Sequence, residues 1–395
     1  MTEHQSLLTS TTPSALVPAR VVIRHLQLRD LIICPLEKGT VNYVQGNTIV
    51  EHNLNAPGSS PRTLAELTFL PNTLSSMPIG NDILLAAGGQ EAEIHLSYHT
   101  PRSAGSSSLI WQYEHQIDGS INNSVLLTHS NESSAELRLM ISNNDCTVKF
   151  FDVPSRAESH SEMIIKEVGK LQLDTPVNHS SLSPDGNSLL SVGDSSKVYL
   201  HQLRGSSQLT FQPISILTLP SPNSSPFSTC LTASFSTSFS SDGSKFAVAS
   251  QDGLVAVWDV RSTHPIQVFH TYNSYLPTAM TKGNGTASGW LSTDPWEWTR
   301  GAAKTPGWSV RSVKFSPTGQ GRGKEVLAFT EHTSLLHIVD ARTLDAGEGV
   351  QVMRPGSNDS TDLDLAGLCF DPSGEYVYVA STEGVAEWAV SIADF

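Results

Sequence analysis

Between Phe239 and Ser262 the chain alternates short polar turns with short apolar runs. Ser240-Ser-Asp-Gly243 precedes Lys245–Ser250, Gln251-Asp252-Gly253 follows, and Leu254–Val260 closes on Trp258-Asp259. Apolar runs of about six residues bounded by Gly, Asp and Ser read as strands, and an Asp-Gly turn between two of them reads as a hairpin. Gly253 is the residue free to take positive φ in that turn. Weaker copies of the pattern cover 177–202, 311–342 and 366–390, each introduced by a related turn: Ser183-Pro-Asp-Gly186, Ser316-Pro-Thr-Gly319 and Asp371-Pro-Ser-Gly374. A supersecondary unit of this kind buries its faces only against copies of itself, so the repeat implies a closed or stacked array.

Turn, strand, Asp-Gly turn, strand and Trp-Asp in that order resembles a WD40 blade. The resemblance implies an all-β, seven-bladed WD40-type β-propeller, because 395 residues at roughly 40–45 per blade leave room for seven. The last copy stops at Phe395 after its third strand, so an N-terminal strand is expected to supply the fourth, with Val21–Leu28 as the candidate. Residues 1–19 are then a disordered tail and 20–395 the propeller. A degenerate first blade is expected from Asp30–Pro35, Thr40–Gln45 and Asn47–Leu54. A second follows from Leu64–Leu70, Asp82–Gly89 and Glu93–Tyr98, with 101–108 a Ser-rich loop before an outer strand Leu109–Glu114. The third runs from Ser124 through Leu137–Ser142 to Thr147–Val153, with Phe151-Asp152 in place of Trp-Asp, and the rest begin near Val177, Thr232, Val310 and Ala366. The Pro- and Ser-rich stretch within 203–229 reads as a loop. The insertion 271–309 carries Tyr272, Tyr275, Trp290, Trp296, Trp298 and Trp308, too many aromatics for an ordinary flexible linker.

Charge changes the range of partners. With 24 Lys plus Arg against 38 Asp plus Glu, the net charge of −14 repels a phosphate backbone, so nucleic acid is not the expected main partner. No run approaches the roughly 20 apolar residues of a membrane span, and residues 1–19 lack the apolar core of a signal peptide. Cys34, Cys146, Cys230 and Cys369 lie far apart with no Cys-x-x-Cys pair, which reads as free thiols in a reducing compartment, cytoplasmic or nuclear.

In a propeller the links between blades and the turns between second and third strands share one rim. That rim is the expected surface for a protein or peptide partner. It collects Trp290, Trp296, Trp298 and Arg300 from the insertion, Glu331, His332 and Glu383 from turns, and Arg311 and His179 from the starts of inner strands. Trp and Arg are frequent interface anchors, although the same aromatics can pack the insertion onto its own propeller. Trp258-Asp259 reads as structural.

No Gly-x-Ser-x-Gly, His-Glu-x-x-His or phosphate-cradling Gly-rich loop occurs, so no enzyme, cofactor or metal is expected. A propeller hydrolase with an axial metal is the rival class, and the cation Arg311 at an inner-strand start argues against it. A third reading, a basic-peptide or histone binder, follows from the net charge. The chain is expected to act as a monomer or as one subunit of a larger complex.

The run Phe329-Thr-Glu331-His332 followed by Val339-Asp340-Ala-Arg342 resembles fungal WD40-like proteins that carry a short domain of unknown function with this core. Glu325-Val326-Leu327 stands where that family has Asp-Leu-Leu, and the resemblance covers about residues 290–390. In its wider group the family includes a substrate receptor of the GID (CTLH-type) ubiquitin ligase that reads protein N-termini. The resemblance thus implies a non-catalytic scaffold acting as a ubiquitin-ligase substrate receptor, with Glu331 and Glu383 as carboxylates for a terminal amine.

Overall fold

The computed structural model describes residues 6–25, 27–56, 58–102, 106–129, 136–154, 165–220, 233–271, 309–317, 323–347, 349–356 and 363–392. Its 28 strands form seven antiparallel four-stranded sheets, and no helix occurs among the described residues. The strands in chain order are β1 (Ala15–Pro18); β2 (Ile32–Ile33), β3 (Thr40–Gln45), β4 (Thr48–Asn53) and β5 (Arg62–Glu66) of blade one; and β6 (Thr73–Ile79), β7 (Asp82–Gly88), β8 (Glu93–Arg102) and β9 (Ser106–Gln116) of blade two. Blade three holds β10 (Asn122–His129), β11 (Leu137–Asn143), β12 (Thr147–Val153) and β13 (Lys166–Gln172); blade four holds β14 (Val177–Leu182), β15 (Ser188–Gly193), β16 (Lys197–Arg204) and β17 (Thr210–Thr218). Blade five holds β18 (Ser234–Phe239), β19 (Lys245–Ser250), β20 (Leu254–Asp259) and β21 (Gln267–His270); blade six holds β22 (Val310–Phe315), β23 (Val326–Glu331), β24 (Leu336–Asp340) and β25 (Gln351–Met353). Blade seven is β26 (Leu365–Phe370), β27 (Tyr376–Ser381) and β28 (Gly384–Ala389), completed by β1. The architecture is the expected all-β, seven-bladed β-propeller.

Closure is made by β1, paired antiparallel with β28 from Ala15↔Glu387 to Pro18↔Gly384. This corrects two expectations. The closing strand is Ala15–Pro18 rather than Val21–Leu28, and the segment from Ser6 is not a loose tail. Leu7 and Leu8 are 5 and 1% exposed and join the core cluster of Trp388 and Val390, Leu8 bridges Val390, and both amides donate to Gln351 Oε1 at 3.2 Å. The reason is packing: Leu7 and Leu8 complete the apolar cluster that joins blades six and seven.

Three blade assignments also change. Leu64–Leu70 is not the inner strand of blade two; Arg62–Glu66 is the outer strand β5 of blade one, and Thr73–Ile79 is the inner strand. The Ser-rich run at 101–108 is not one loop, because β8 extends to Arg102 and β9 starts at Ser106. Within 203–229, Thr210–Thr218 is the outer strand β17, which tolerates Pro213 because one of its edges is unpaired.

The core lies between blades. Trp258 stacks on Phe246 at 5.4 Å between centroids within blade five and packs with Leu190, Val192 and Val198 of blade four. Each of the other clusters likewise joins neighbouring blades. Inner strands are stitched by hydrogen bonds. The amides of Val125 and Leu127 donate to the hydroxyls of Thr73 and Ser75, and those of Val313 and Phe315 donate to Ser236 and Ser238. Across the seam, the Leu31 amide donates to the Ala366 carbonyl at 3.2 Å, and between blades one and two that of Leu74 donates to the Asp30 carbonyl at 2.9 Å.

Leu8→Ala should lower unfolding free energy by about 2–4 kcal/mol in urea denaturation, as expected for a buried leucine. Leu16→Ala, at a side chain 47% exposed in the same segment, should stay within about 0.5 kcal/mol of the parent.

Candidate functional site

The links between blades and the turns joining second to third strands lie on one rim, because the four strands of each blade alternate in direction. On that rim, five inner strands begin with the same irregularity. The pairing of inner and second strand skips one residue between Asn122 and Ser124, Val177 and His179, Ser234 and Ser236, Val310 and Ser312, and Leu365 and Gly367. A bulge of this kind frees one residue from the ladder and re-aims its side chain. The freed residues are Asn123, Asn178, Phe235, Arg311 and Ala366, and they form a collar around the axis. Asn123 Nδ2 donates to the Val177 carbonyl at 2.8 Å and lies 3.4 Å from Asn178 Oδ1. Asn178 Nδ2 donates to Asp194 Oδ1 at 2.8 Å and to the Ser234 carbonyl at 3.1 Å. The Arg311 guanidinium sits 4.0 Å from the Phe235 ring centroid, a cation–π contact from one collar position to its neighbour.

A second arginine reaches the collar from the link between blades seven and one. Arg29, 3% exposed, donates from Nη1 to the carbonyls of His25 at 2.6 Å and Leu28 at 3.1 Å. Its own carbonyl lies 2.9 Å from where a Cβ on Gly367 would stand; with φ at 149°, that position suits glycine. Burial pulls the Arg29 guanidinium down to about 10, with Asp364 opposing the shift. The two arginines act on the nearby imidazoles. Burial, then Arg29 and Arg311, hold His25 at about 4, and burial, then Arg311 and Arg29, hold His332 at about 2. Both histidines are therefore neutral at pH 7, and the positive charge of the mouth resides on guanidinium groups.

The residues expected at the rim separate into five groups. Arg311 is at the mouth, 2% exposed. Glu383 is exposed in the turn between β27 and β28, its carbonyl accepting from the Ala19 amide at 3.2 Å. Glu331 and His332 are not rim contacts. Glu331 is fully buried, and Oε1 accepts from His337 Nε2 at 2.7 Å while that imidazole stacks on Phe329 at 4.6 Å. A carboxylate so enclosed is closed to a partner's amine. His332 is 1% exposed, with Nε2 3.8 Å from Asp364 Oδ1. Its turn is sewn to blade seven through the Leu365 amide on the His332 carbonyl at 3.2 Å and the Ser334 amide on the Leu363 carbonyl at 2.9 Å. His179 follows its bulge and points away from the mouth: Nδ1 meets Thr237 Oγ1 at 3.0 Å, and burial holds the imidazole far below its ordinary value. Trp290, Trp296, Trp298 and Arg300 lie outside the described residues, as do residues 272–308 of the insertion 271–309.

Below the collar, the inner strands enclose an axial cavity of about 560 Å³, lined by hydroxyls such as Ser75, Ser181 and Thr237, the His179 imidazole and the Lys314–Asp30 pair at 3.5 Å. No group of three or more His, Cys, Asp or Glu side chains suited to a metal occurs among the described residues. Trp258-Asp259 does have the structural role read from the sequence. The indole is fully buried, and Asp259 holds Arg261 Nη2 at 2.7 Å, a contact that keeps its carboxyl well below the usual range.

Sequence reasoning did not find Arg29, His25 or the collar as a unit. One signal was available: from His4 to Arg29 the chain carries three arginines and no Asp or Glu, unlike the rest of an acidic sequence.

Against known proteins, residues 216–259 match the WD domain, G-beta repeat, and residues 309–352 match an uncharacterised protein domain, DUF2415. An uncharacterised protein of the fission yeast Schizosaccharomyces pombe is 28% identical over 381 residues, covering 94% of this chain and 90% of its own length. The chain is thus similar to a protein of nearly its own extent. The DUF2415 match coincides with blade six, from the start of β22 through most of β25.

Glu331→Ala should cost about 2–3 kcal/mol of stability by leaving His337 without its buried acceptor, whereas Glu383→Ala should change stability by less than about 0.5 kcal/mol; thermal melts of both variants decide this. Acid should also destabilise the fold. His25, His99 and His332 have folded values of about 4, about 4 and about 2, so below about pH 6.5 the unfolded chain binds protons that the folded chain refuses. Stability is expected to be fully present above pH 6.5 and to fall as pH drops towards 4. The urea midpoint at pH 7.5 and 5.0 measures it, and His99→Gln should reduce the difference.

Proposed function

We propose that the chain is a non-catalytic propeller that gathers protein partners on the rim bearing the inter-blade links. The single observation that carries this reading is the collar. Five blades give up a ladder position at the same end, and among the freed side chains Arg311 is a cation at the mouth of the axis. Bulges spent repeatedly on re-aiming side chains at one end suit a recognition surface there. The WD-repeat match supports the general class, since such propellers typically bind proteins. A finer reading, a substrate-recognition subunit of a ubiquitin ligase, draws support from the sequence resemblance over blade six. In that reading Glu383 is the rim carboxylate left to meet a substrate, because Glu331 is committed to His337.

The test is affinity purification with mass spectrometry on three forms: the full chain, a form with 272–308 replaced by a Gly-Ser linker, and Arg342→Glu on the opposite rim. Partner capture should drop at least tenfold for the linker form and stay unchanged for Arg342→Glu. An identical partner list for all three would place the surface elsewhere. Ubiquitin-ligase subunits among the captured proteins support the finer reading, and a reproducible set without them removes it.

A further inference from the structure

The link from β1 to β2 crosses the rim from perimeter to axis and carries Arg20, Arg24 and Arg29 before it reaches Asp30. Its outer end follows Pro18, the last paired residue of the closing strand, and its middle is held by the Val22 amide on the Val44 carbonyl at 3.3 Å, above blade one. Its inner end enters β2 at the collar, where Leu31 bonds Ala366. Arg20 and Arg24 are exposed along this path, and Arg29 and then Arg311 stand at its inner end. At the outer end, Arg20 lines a groove between blades seven and one together with Pro18, Gln45, Pro61 and Glu383. Acidic groups near the path are Glu383 at the groove, Asp364 at the mouth and Asp30, which is paired with Lys314; the arginines are the exposed Arg20 and Arg24 and the buried Arg29 and Arg311. The chain carries a net charge of −14, so this strip has a sign opposite to that of the protein as a whole.

We propose that this radial strip binds an acidic segment of a partner protein, laid in extended form from the groove between blades seven and one to the mouth of the axis. The proposal rests on the rim reading above and gives the partner its chemistry. Guanidinium groups pair with carboxylate and phosphate through parallel N–H donors, so the exposed Arg20 and Arg24 select anionic side chains over a terminal amine, and the buried Arg29 and Arg311 add the pull of their charge at the inner end. Burial, and after it Arg29 and Arg311, keeps His25 and His332 uncharged, so the guanidinium groups carry the positive charge there. The negative charge elsewhere repels an acidic segment from other faces and confines it to the strip. An extended peptide of about eight residues spans up to roughly 28 Å. A histone-like or other basic peptide, which the net charge alone would favour, meets the wrong sign here.

The experiment is fluorescence anisotropy on the full chain with eight-residue probes, acetylated and amidated so that only side chains carry charge. One probe alternates Glu with Ser, one replaces alternate Glu with phosphoserine, and one replaces Glu with Lys. The Glu probe should bind, and its affinity should fall steeply between 50 and 200 mM salt. The Lys probe should not bind. Tighter binding of the phosphoserine probe assigns the source of the anion to phosphorylation, and equal binding assigns it to acidic side chains. Arg20→Glu and Arg24→Glu should each weaken the Glu probe about tenfold at unchanged melting temperature. Arg342→Glu, an identical charge change on the opposite rim, should weaken it less than twofold. Binding of the Lys probe alone, no binding of either anionic probe, or equal losses from Arg24→Glu and Arg342→Glu would overturn the proposal. Because the partner-capture test removes a different segment, loss of partners there with no acidic binding here would keep the rim and discard its acidic ligand.

Discussion

The fold depends on a pairing between the two ends of the chain. Every blade leaves an apolar face that only a neighbour can cover, and in a ring the last neighbour of blade seven is blade one. Four residues, Ala15–Pro18, complete blade seven, and Leu7-Leu8 seals its outer side with blade six. The hydrogen bond from Leu31 to Ala366 then carries the inner-strand stitching across the seam. Such contacts are distant in sequence, so their loop-closure entropy is offset only when the whole ring forms.

Closure also creates the candidate site. Asn123, Asn178, Phe235, Arg311 and Ala366 belong to five blades and become neighbours only around the axis. Their bulges loosen each ladder at one position and gain contacts between blades, as the Arg311–Phe235 stack and the Asn123–Asn178 approach illustrate. Two guanidinium groups held near one another at low exposure in a protein of net charge −14 mark this end of the axis as chemically distinct. The hydroxyl-lined cavity beneath carries a single balanced Lys314–Asp30 pair by contrast.

Repeat and fold class were legible because they are written locally. The Ser240-Ser-Asp-Gly243 and Asp371-Pro-Ser-Gly374 turns hold Asp242 and Asp371 as acceptors for amides within a few residues, and Gly243 and Gly374 take φ of 70 and 73°. Such turns and the six-residue apolar runs between them need no distant partner to be recognised. Legibility failed where a strand's role depends on its neighbour. Leu64 and Thr210 lie in outer strands, whose faces are half wet and whose polar pattern resembles a loop. Glu331 looked like a turn carboxylate on the rim, and a bond to His337, set by packing on Phe329, buried it.

By itself the sequence determined the blade: alternating strand and turn, Trp258 for the core, and enough copies for seven. Which N-terminal segment closes the ring, which side chains the bulges turn towards the axis and what sign of charge gathers there were decided only by tertiary structure. Net composition averages over the whole surface, whereas a binding mouth is a local sum over residues that the chain brings together only when the ring is shut.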